Sequence, residues 1–453
     1  MMSMPPRRRA RSCRPRAGAS LPWFTSLLLL GALTAQAQST AEAPPTLSVH
    51  EAVQAATVRA SAPAAAAAIA QAARERAVAA AQRPDPVLRL ALDSVPVEGP
   101  DRFSTTRDFM TQRSISVMQT FTRADKRSAR AQRFEREAEA AQADRRVRIA
   151  AVQRDTALTW FDRRAAEQRQ AVLQRLRAEA QLQIEAAEAA LRGARGTPPE
   201  VIAARDALAQ LDLALLDADA EVANARRMLA RWAGEAGQRP LADPPTLARH
   251  ALAAHGVPDR LAQHPDLLRL AARQAQADAQ AEVARAEREP DWSAELMFSQ
   301  RGARYTNMVS LALSLPLPWD RPQRQDRELA ARLAQAQALR ADREELAREH
   351  LAQTESWIAA WQAGLARLAL LDRDRAPLAQ QRIDAALAAY RGAGAPLSAV
   401  LGARRAALAL QMERIALERQ TARLWARLEF LIPPEPPVVN TAATPIAPEG
   451  APR

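Results

Sequence analysis

The segment Met308–Arg324, MVSLALSLPLPWDRPQR, differs in pattern from the sequence on either side of it. Its apolar side chains fall on every second position: Val309, Leu311, Leu313 and Leu315. Alternation with small or polar residues predicts a β-strand with one apolar face. The rest of the chain is rich in Ala, Leu, Arg, Glu and Gln and only 4% aromatic, which favours long helices. The expected fold class is therefore mainly α with a small β part.

Three more segments carry the same period of two residues. PDPVLRLALDSVPV and FMTQRSISVMQTF are joined by a polar loop, and they predict a β-hairpin at about 86–121. DWSAELMFSQ precedes the opening segment across a short loop, so a second pair of strands is expected at about 291–318. The chain is thus predicted to contribute four strands.

Two very long helices are also expected. Residues 124–192 contain neither proline nor glycine and would form a helix of about 100 Å, at about 1.5 Å per residue. A return helix follows at 201–232, and the same order recurs as a long helix at 323–390 with a return helix at 399–430. Helices of this length need partner helices along them, so the pairs are expected to pack antiparallel.

The sequence repeats itself internally. LRGARGTPPEVIAARDAL, from Leu191, aligns without gaps on YRGAGAPLSAVLGARRAA, from Tyr390, and each segment joins a long helix to its return helix. The expected domains are a first repeat at 38–234, a linker at 235–258, a second repeat at 259–432 and a Pro-rich disordered tail at 433–453.

The N-terminus has the pattern of an export signal. Six arginines lie within the first sixteen residues, and the apolar run LPWFTSLLLLGALTA and an Ala35-Gln36-Ala37 site follow. Cleavage after Ala37 is expected, so 1–37 would be a signal peptide. Cleavage would remove Cys13, the single cysteine, and halve the net charge of +12. An exported chain with nearly balanced charge is not expected to bind nucleic acid.

Four strands in one chain cannot form a sheet without edges. An open sheet leaves unpaired N–H and C=O groups at both edges, and lipid tolerates only closed barrels. A membrane barrel would therefore need strands from several chains, with aromatic residues near its rims. The candidate aromatic belt comprises Phe109, Phe121, Trp292, Phe298, Tyr305 and Trp319. The alternative is a small sheet in water.

The chain resembles the TolC-type outer-membrane efflux factors from about Leu47 to Ile432. The resemblance rests on Pro-Asp at each strand entry, on SLPLPWDRPQRQDRELAAR after the last strand, and on the two repeated turns. The strand exit looks like that of the heavy-metal-efflux branch. The resemblance implies a homotrimer with a 12-stranded transmembrane β-barrel and a periplasmic tunnel of long antiparallel helices. It also implies an outer-membrane location in a Gram-negative-type cell, with a periplasmic adaptor and an inner-membrane pump as partners.

In this family the turns between long and return helices form the periplasmic tip, where the tunnel narrows and the adaptor docks. By the match of YRGAGAPLSAV, Tyr390 is a candidate gate residue, and Glu200 occupies the acidic position of the first turn. Alternatively, Glu200 only stabilises the N-terminus of its helix. The candidate docking turns contain Gly193, Gly196, Gly392 and Gly394. Ala399 and Gly402 stand where family members often carry acids, which puts a charged gate ring in doubt.

No motif for catalysis, nucleotide binding or a cofactor occurs in the sequence. The five histidines match no compact metal-binding spacing, so no metal site is predicted: His50, His250, His255, His264 and His350. The expected function is that of a passive outer-membrane channel in a tripartite efflux or export system, not an enzyme. The alternative is a periplasmic coiled-coil scaffold or adaptor that never enters a membrane.

Overall fold

A computed structural model describes residues 46–194, 196–250, 257–302, 304–392 and 394–432. The predicted signal peptide, the single cysteine and the predicted tail lie outside these residues. Within them the structure is mostly helical with one four-stranded antiparallel sheet, which confirms the predicted fold class.

The first half of the described chain begins with two helices, α1 (Val49–Arg59) and α2 (Ser61–Ala81). The helical pattern of the sequence runs from about Leu47 to Gln82, but the backbone is extended at Ala60, with φ −66° and ψ 121°. The break has a local cause, because Pro63 has no N–H to donate to the carbonyl of Arg59.

Two helices follow the first hairpin. Helix α3 (Ala124–Arg192) runs for 69 residues without interruption, and α4 (Pro198–Ala233) returns beside it. A 3₁₀ turn at Gly234–Gln238 ends this half of the chain.

The second half also has helices before and after a pair of strands. Two helices precede its strands, α5 (Val257–Leu261) and α6 (Pro265–Ala286). Three more follow the strands: α7 (Gln325–Leu370), α8 (Ala376–Arg391) and α9 (Leu397–Glu429).

A π-turn at Leu371–Arg375 separates α7 from α8, next to Pro377. The sequence predicts a long helix interrupted only at Gly364 and Pro377, and α7 passes through Gly364 without a break. Pro377 cannot donate the hydrogen bond that an α-helix would require. The N–H of Ala376 instead bonds to the carbonyl of Leu371, five residues back. Two hydrogen bonds from Arg414 on α9 to Asp372, at 2.6 and 3.1 Å, hold this turn against the return helix.

The sheet contains β1 (Val87–Asp93), β2 (Gln112–Phe121), β3 (Trp292–Gln300) and β4 (Met308–Ser314), in the order β1-β2-β3-β4. The two hairpins meet where β2 pairs with β3. The inner strands have 10 and 9 residues, as expected for membrane strands, whereas each outer strand has only seven.

The main core lies where both halves of the chain meet, and two buried tryptophans occupy equivalent places in it. Trp160 on α3 donates from Nε1 to the carbonyl of Leu47 at 3.0 Å. Trp361 on α7 donates in the same way to the carbonyl of Leu247 at 3.1 Å. Both bonds fasten a long helix to a non-helical segment that lies before it in the chain.

Candidate functional site: an uncovered sheet face and two helix turns

One face of the sheet is apolar across all four strands. The register aligns two complete rows of apolar side chains: Leu90, Ile115, Phe298 and Val309, and beside them Leu88, Val117, Leu296 and Leu311. The opposite face carries smaller and more polar residues, among them Ser114, Ser116, Ser299 and Ser310. The period of two in the sequence therefore becomes a two-sided sheet.

The apolar face is uncovered. Val309 is 70% exposed, and Leu311 and Leu313 are each 71% exposed, which is unusual for large aliphatic side chains in ordered strands. On the opposite face Ser116 and Ser299 are buried, at 3% and 1% exposure. The burial pattern is thus the reverse of that in a sheet that packs its apolar side onto a core.

The predicted aromatic belt divides between the two ends of the sheet. Phe121 and Trp292 stack at 4.1 Å at the end joined to the helices, and Trp319, 93% exposed, follows β4 at that end. Phe109 and Tyr305 lie in the loops at the far end.

Phe298 belongs instead to an apolar row within the sheet. Phe103, which the sequence analysis did not select, is 62% exposed in the far loops. The sequence did not indicate Phe103 as a belt residue, because the loop around it is polar.

Both edges of the sheet are open. Strand β1 pairs only with β2, and β4 pairs only with β3, among the residues that the structure describes. Each outer strand therefore presents one row of backbone N–H and C=O groups to a further strand.

A buried lysine ties the sheet to the helices. Lys126, at the start of α3, donates from Nζ to the carbonyl of Glu289 at 2.7 Å and forms an ion pair with Asp291 at 2.9 Å. The Lys126 side chain is 6% exposed. Asp291 belongs to the second Pro-Asp motif, at the entry to β3. Its carboxylate thus neutralises the buried ammonium group of Lys126.

The two predicted tip turns come together at the other end of α3, about 100 Å of helix away from the sheet. Their flanking helices share one apolar cluster: Ala187, Val201, Ala204, Leu397, Val400 and Leu401. Tyr390 packs against this cluster and is half-buried.

Glu200 caps its helix. Its carboxylate accepts a hydrogen bond from the N–H of Thr197 at 2.9 Å, at the N-terminus of α4. The structure therefore gives Glu200 the local capping role that the sequence left open as an alternative.

Glycines in these turns were expected to supply the backbone freedom that a tight helix-to-helix turn needs. Gly193 and Gly392 have φ of −83° and −81°, which any residue can adopt, while Ala194 takes the left-handed conformation with φ 52°. At Gly196 the constraint is space, since a Cβ atom would lie 3.1 Å from the Cβ of Ala190. Close approach of the chain explains Gly196 better than backbone freedom does.

The structure also joins two histidines that the sequence separates. The rings of His264 and His350 are in contact, with centroids 4.1 Å apart and planes tilted by 34°, and Asp266 lies beside them. Of the others, His250 contacts Glu429 at 3.1 Å and His50 lies near Phe430. His255 lies outside the described residues.

Among the described helices, none is both long and apolar enough to cross a membrane.

No protein-family model matches the sequence, and no curated protein matches it. Solved structures do match. The CusC structure is 16% identical, with a TM-score of 0.70 over 85% of this chain and 92% of that one.

The outer-membrane protein VceC of Vibrio cholerae is 18% identical, with a TM-score of 0.67 over 85% and 96%. The outer-membrane channel MtrE of Neisseria gonorrhoeae is 16% identical, with a TM-score of 0.67 over 85% and 88%. The chain therefore has the fold of the TolC-type outer-membrane channels.

Proposed function

We propose that this protein is the outer-membrane channel of a tripartite efflux or export system. Three chains would pair β4 of one with β1 of the next and close a 12-stranded barrel. The long helices would continue that barrel as a periplasmic tunnel. The conduit is passive, and an inner-membrane pump supplies the energy.

The uncovered apolar face of the sheet carries this proposal. In water, eleven exposed aliphatic or aromatic strand residues on this face would favour aggregation, whereas in lipid the same residues are in their preferred solvent. The polar face would then line a water-filled lumen. Pairing between chains would also satisfy both open edges, as lipid requires.

We place the gate at the turn cluster formed by the α3–α4 and α8–α9 turns. Tyr390 would contribute to the closed aperture, and an adaptor that docks on the turns would displace it. Gly193, Gly196, Gly392 and Gly394 lie where that adaptor would touch the protein. Glu200 would hold the start of α4 in place during this movement.

Heavy-metal cations are the proposed cargo. This part of the proposal rests on the resemblance of SLPLPWDRPQR, after β4, to the strand exit of that branch. Transport of silver, copper or zinc by cells that carry the gene with its neighbouring pump would test it directly.

Fractionation and conductance test the channel itself. The expected results are a heat-resistant trimer in the detergent extract of outer membranes, and stepwise ionic currents after reconstitution of that trimer into planar bilayers. Release of a monomer by osmotic shock, without any current, would instead support the periplasmic scaffold. That alternative predicts that the apolar face is covered by a soluble partner.

A further inference from the structure

His264, Asp266 and His350 form a compact cluster of metal-ligating side chains. Each offers one donor atom, and the three atoms lie within 4.8 Å of one another. His264 is buried, while Asp266 and His350 are half-buried at the surface. Two of these residues flank the start of α6, and the third lies on α7.

We propose that these three residues bind a borderline divalent transition-metal cation, with Zn²⁺ as the reference ion. Two imidazoles and one carboxylate are a ligand set that such cations accept, with a fourth position left for water. Hard cations such as Mg²⁺ prefer oxygen ligands and would bind weakly here.

The donor atoms are close to coordination distances. Tetrahedral ligands about 2.0–2.2 Å from a zinc ion lie about 3.4 Å apart. Nδ1 of His264 is 4.0 Å from Oδ2 of Asp266, so a contraction of less than about 1 Å joins this pair. Rotation of the half-buried His350 side chain supplies the remaining adjustment.

Nδ1 of His264 already presents a lone pair, because it accepts a hydrogen bond from the N–H of Asp266 at 3.2 Å. A cation would replace that long hydrogen bond with a coordination bond. Arg269 pairs with Oδ1 of Asp266 at 2.9 Å, which turns the other carboxylate oxygen towards His264.

Of the charged groups near this cluster, one favours a bound cation and another repels it. Burial, followed by the proximity of His350, lowers the pKa of His264 to about 4, so the imidazole is neutral at neutral pH. Asp266 opposes this shift, while Arg154 on α3 adds to it and also repels a cation. The negative charge of the Asp266 carboxylate offsets the repulsion between Arg154 and the bound cation.

A cation at this position would cross-link the first turn of α6 to the middle of α7. The inference does not depend on the channel function, since it concerns two helices of one chain. It predicts a cation that stabilises the fold, distinct from any cation that passes through a lumen.

The test uses the full-length protein in detergent, purified without a histidine tag and stripped of metal. Equilibrium dialysis would measure Zn²⁺ per chain, and visible absorption of added Co²⁺ would report its coordination. We expect one Zn²⁺ per chain, a ligand-field band of Co²⁺ in a nitrogen and oxygen site, and a rise in Tm with Zn²⁺.

His350→Gln should weaken binding at least tenfold and abolish the Co²⁺ band. His50→Gln is the matched control, because it removes an exposed histidine elsewhere and should bind as the parent does. Asp266→Asn provides a second variant if His350→Gln fails to fold. The proposal is overturned if the parent binds no stoichiometric Zn²⁺, or if the folded variants bind it as tightly as His50→Gln does.

Discussion

Leu311→Arg tests whether the exposed sheet face meets lipid. Leu311 lies on the apolar face of β4, is 71% exposed in the single chain, and pairs with Leu296. Its neighbour Ser310, also exposed, points to the opposite face and pairs with Met297. Ser310→Arg is therefore a matched control, one residue away on the same strand.

The expected cost follows from where each side chain lies. An arginine at the midplane of a bilayer costs about 2–4 kcal/mol on the lipid face of a barrel. Loss of the leucine from hydrocarbon adds about 1–2 kcal/mol. Three equivalent chains bring the total to about 9–18 kcal/mol for a trimer, which is enough to prevent assembly.

The assay is the yield of heat-resistant trimer in the outer-membrane fraction, followed by conductance in planar bilayers. Leu311→Arg should leave almost no trimer. Ser310→Arg should assemble normally and reduce cation conductance, because it adds a ring of positive charge to the lumen. Equal yields for the two variants would refute the assignment of the faces, since a sheet in water treats both exposed positions alike.

Three further perturbations probe other parts of the molecule. Lys126→Met leaves Asp291 without its buried partner and should destabilise the protein by about 2–3 kcal/mol, seen as a lower temperature of trimer loss; an unchanged temperature would show that the pair is dispensable. Tyr390→Ala should increase the open fraction in single-channel recordings, and no change would remove Tyr390 from the gate. The hydrogen bond with His250 lowers the pKa of Glu429 in the folded state. Stability should therefore fall as pH drops below about 4.5, and less steeply in His250→Gln; parallel pH curves would contradict this linkage.

The sheet could be predicted from sequence because its signal is local. Alternation in MVSLALS and in DWSAELMFSQ fixes which side chains share a face, whatever surrounds the strands. The uninterrupted helix α3 could be predicted equally well, since residues 124–192 contain neither proline nor glycine. In each case the physical cause lies within a few residues of its effect.

The two helix prolines had different outcomes: the sequence predicts an interruption at Pro377, but it does not predict the helix break near Pro63. Pro63 and Pro377 each remove one helical hydrogen bond, but the first ends a helix and the second only produces a π-turn. The two sites differ in their contacts. At the second site, Arg414 on α9 donates a hydrogen bond to Asp372 and so holds the π-turn in place. A single sequence does not contain this information.

The histidine cluster could not be predicted from the sequence, for a related reason. His264 and His350 are 86 positions apart, and only the lateral packing of α6 on α7 brings their rings together. Ala194 is similar, because its left-handed backbone is imposed by the turn and not by its own preference.

The π-turn gives the two halves of each chain unequal stiffness. Helix α3 is continuous along its whole length. The corresponding long helix of the second half is divided into α7 and α8 by the π-turn at Leu371–Arg375. We expect a force applied at the Gly392 end to bend this helix first at Leu371–Arg375, against the two hydrogen bonds from Arg414 to Asp372. In the proposed trimer, we expect the helical pair that contains the π-turn to move more easily than the α3–α4 pair, so that the proposed aperture would widen by movement of that one pair.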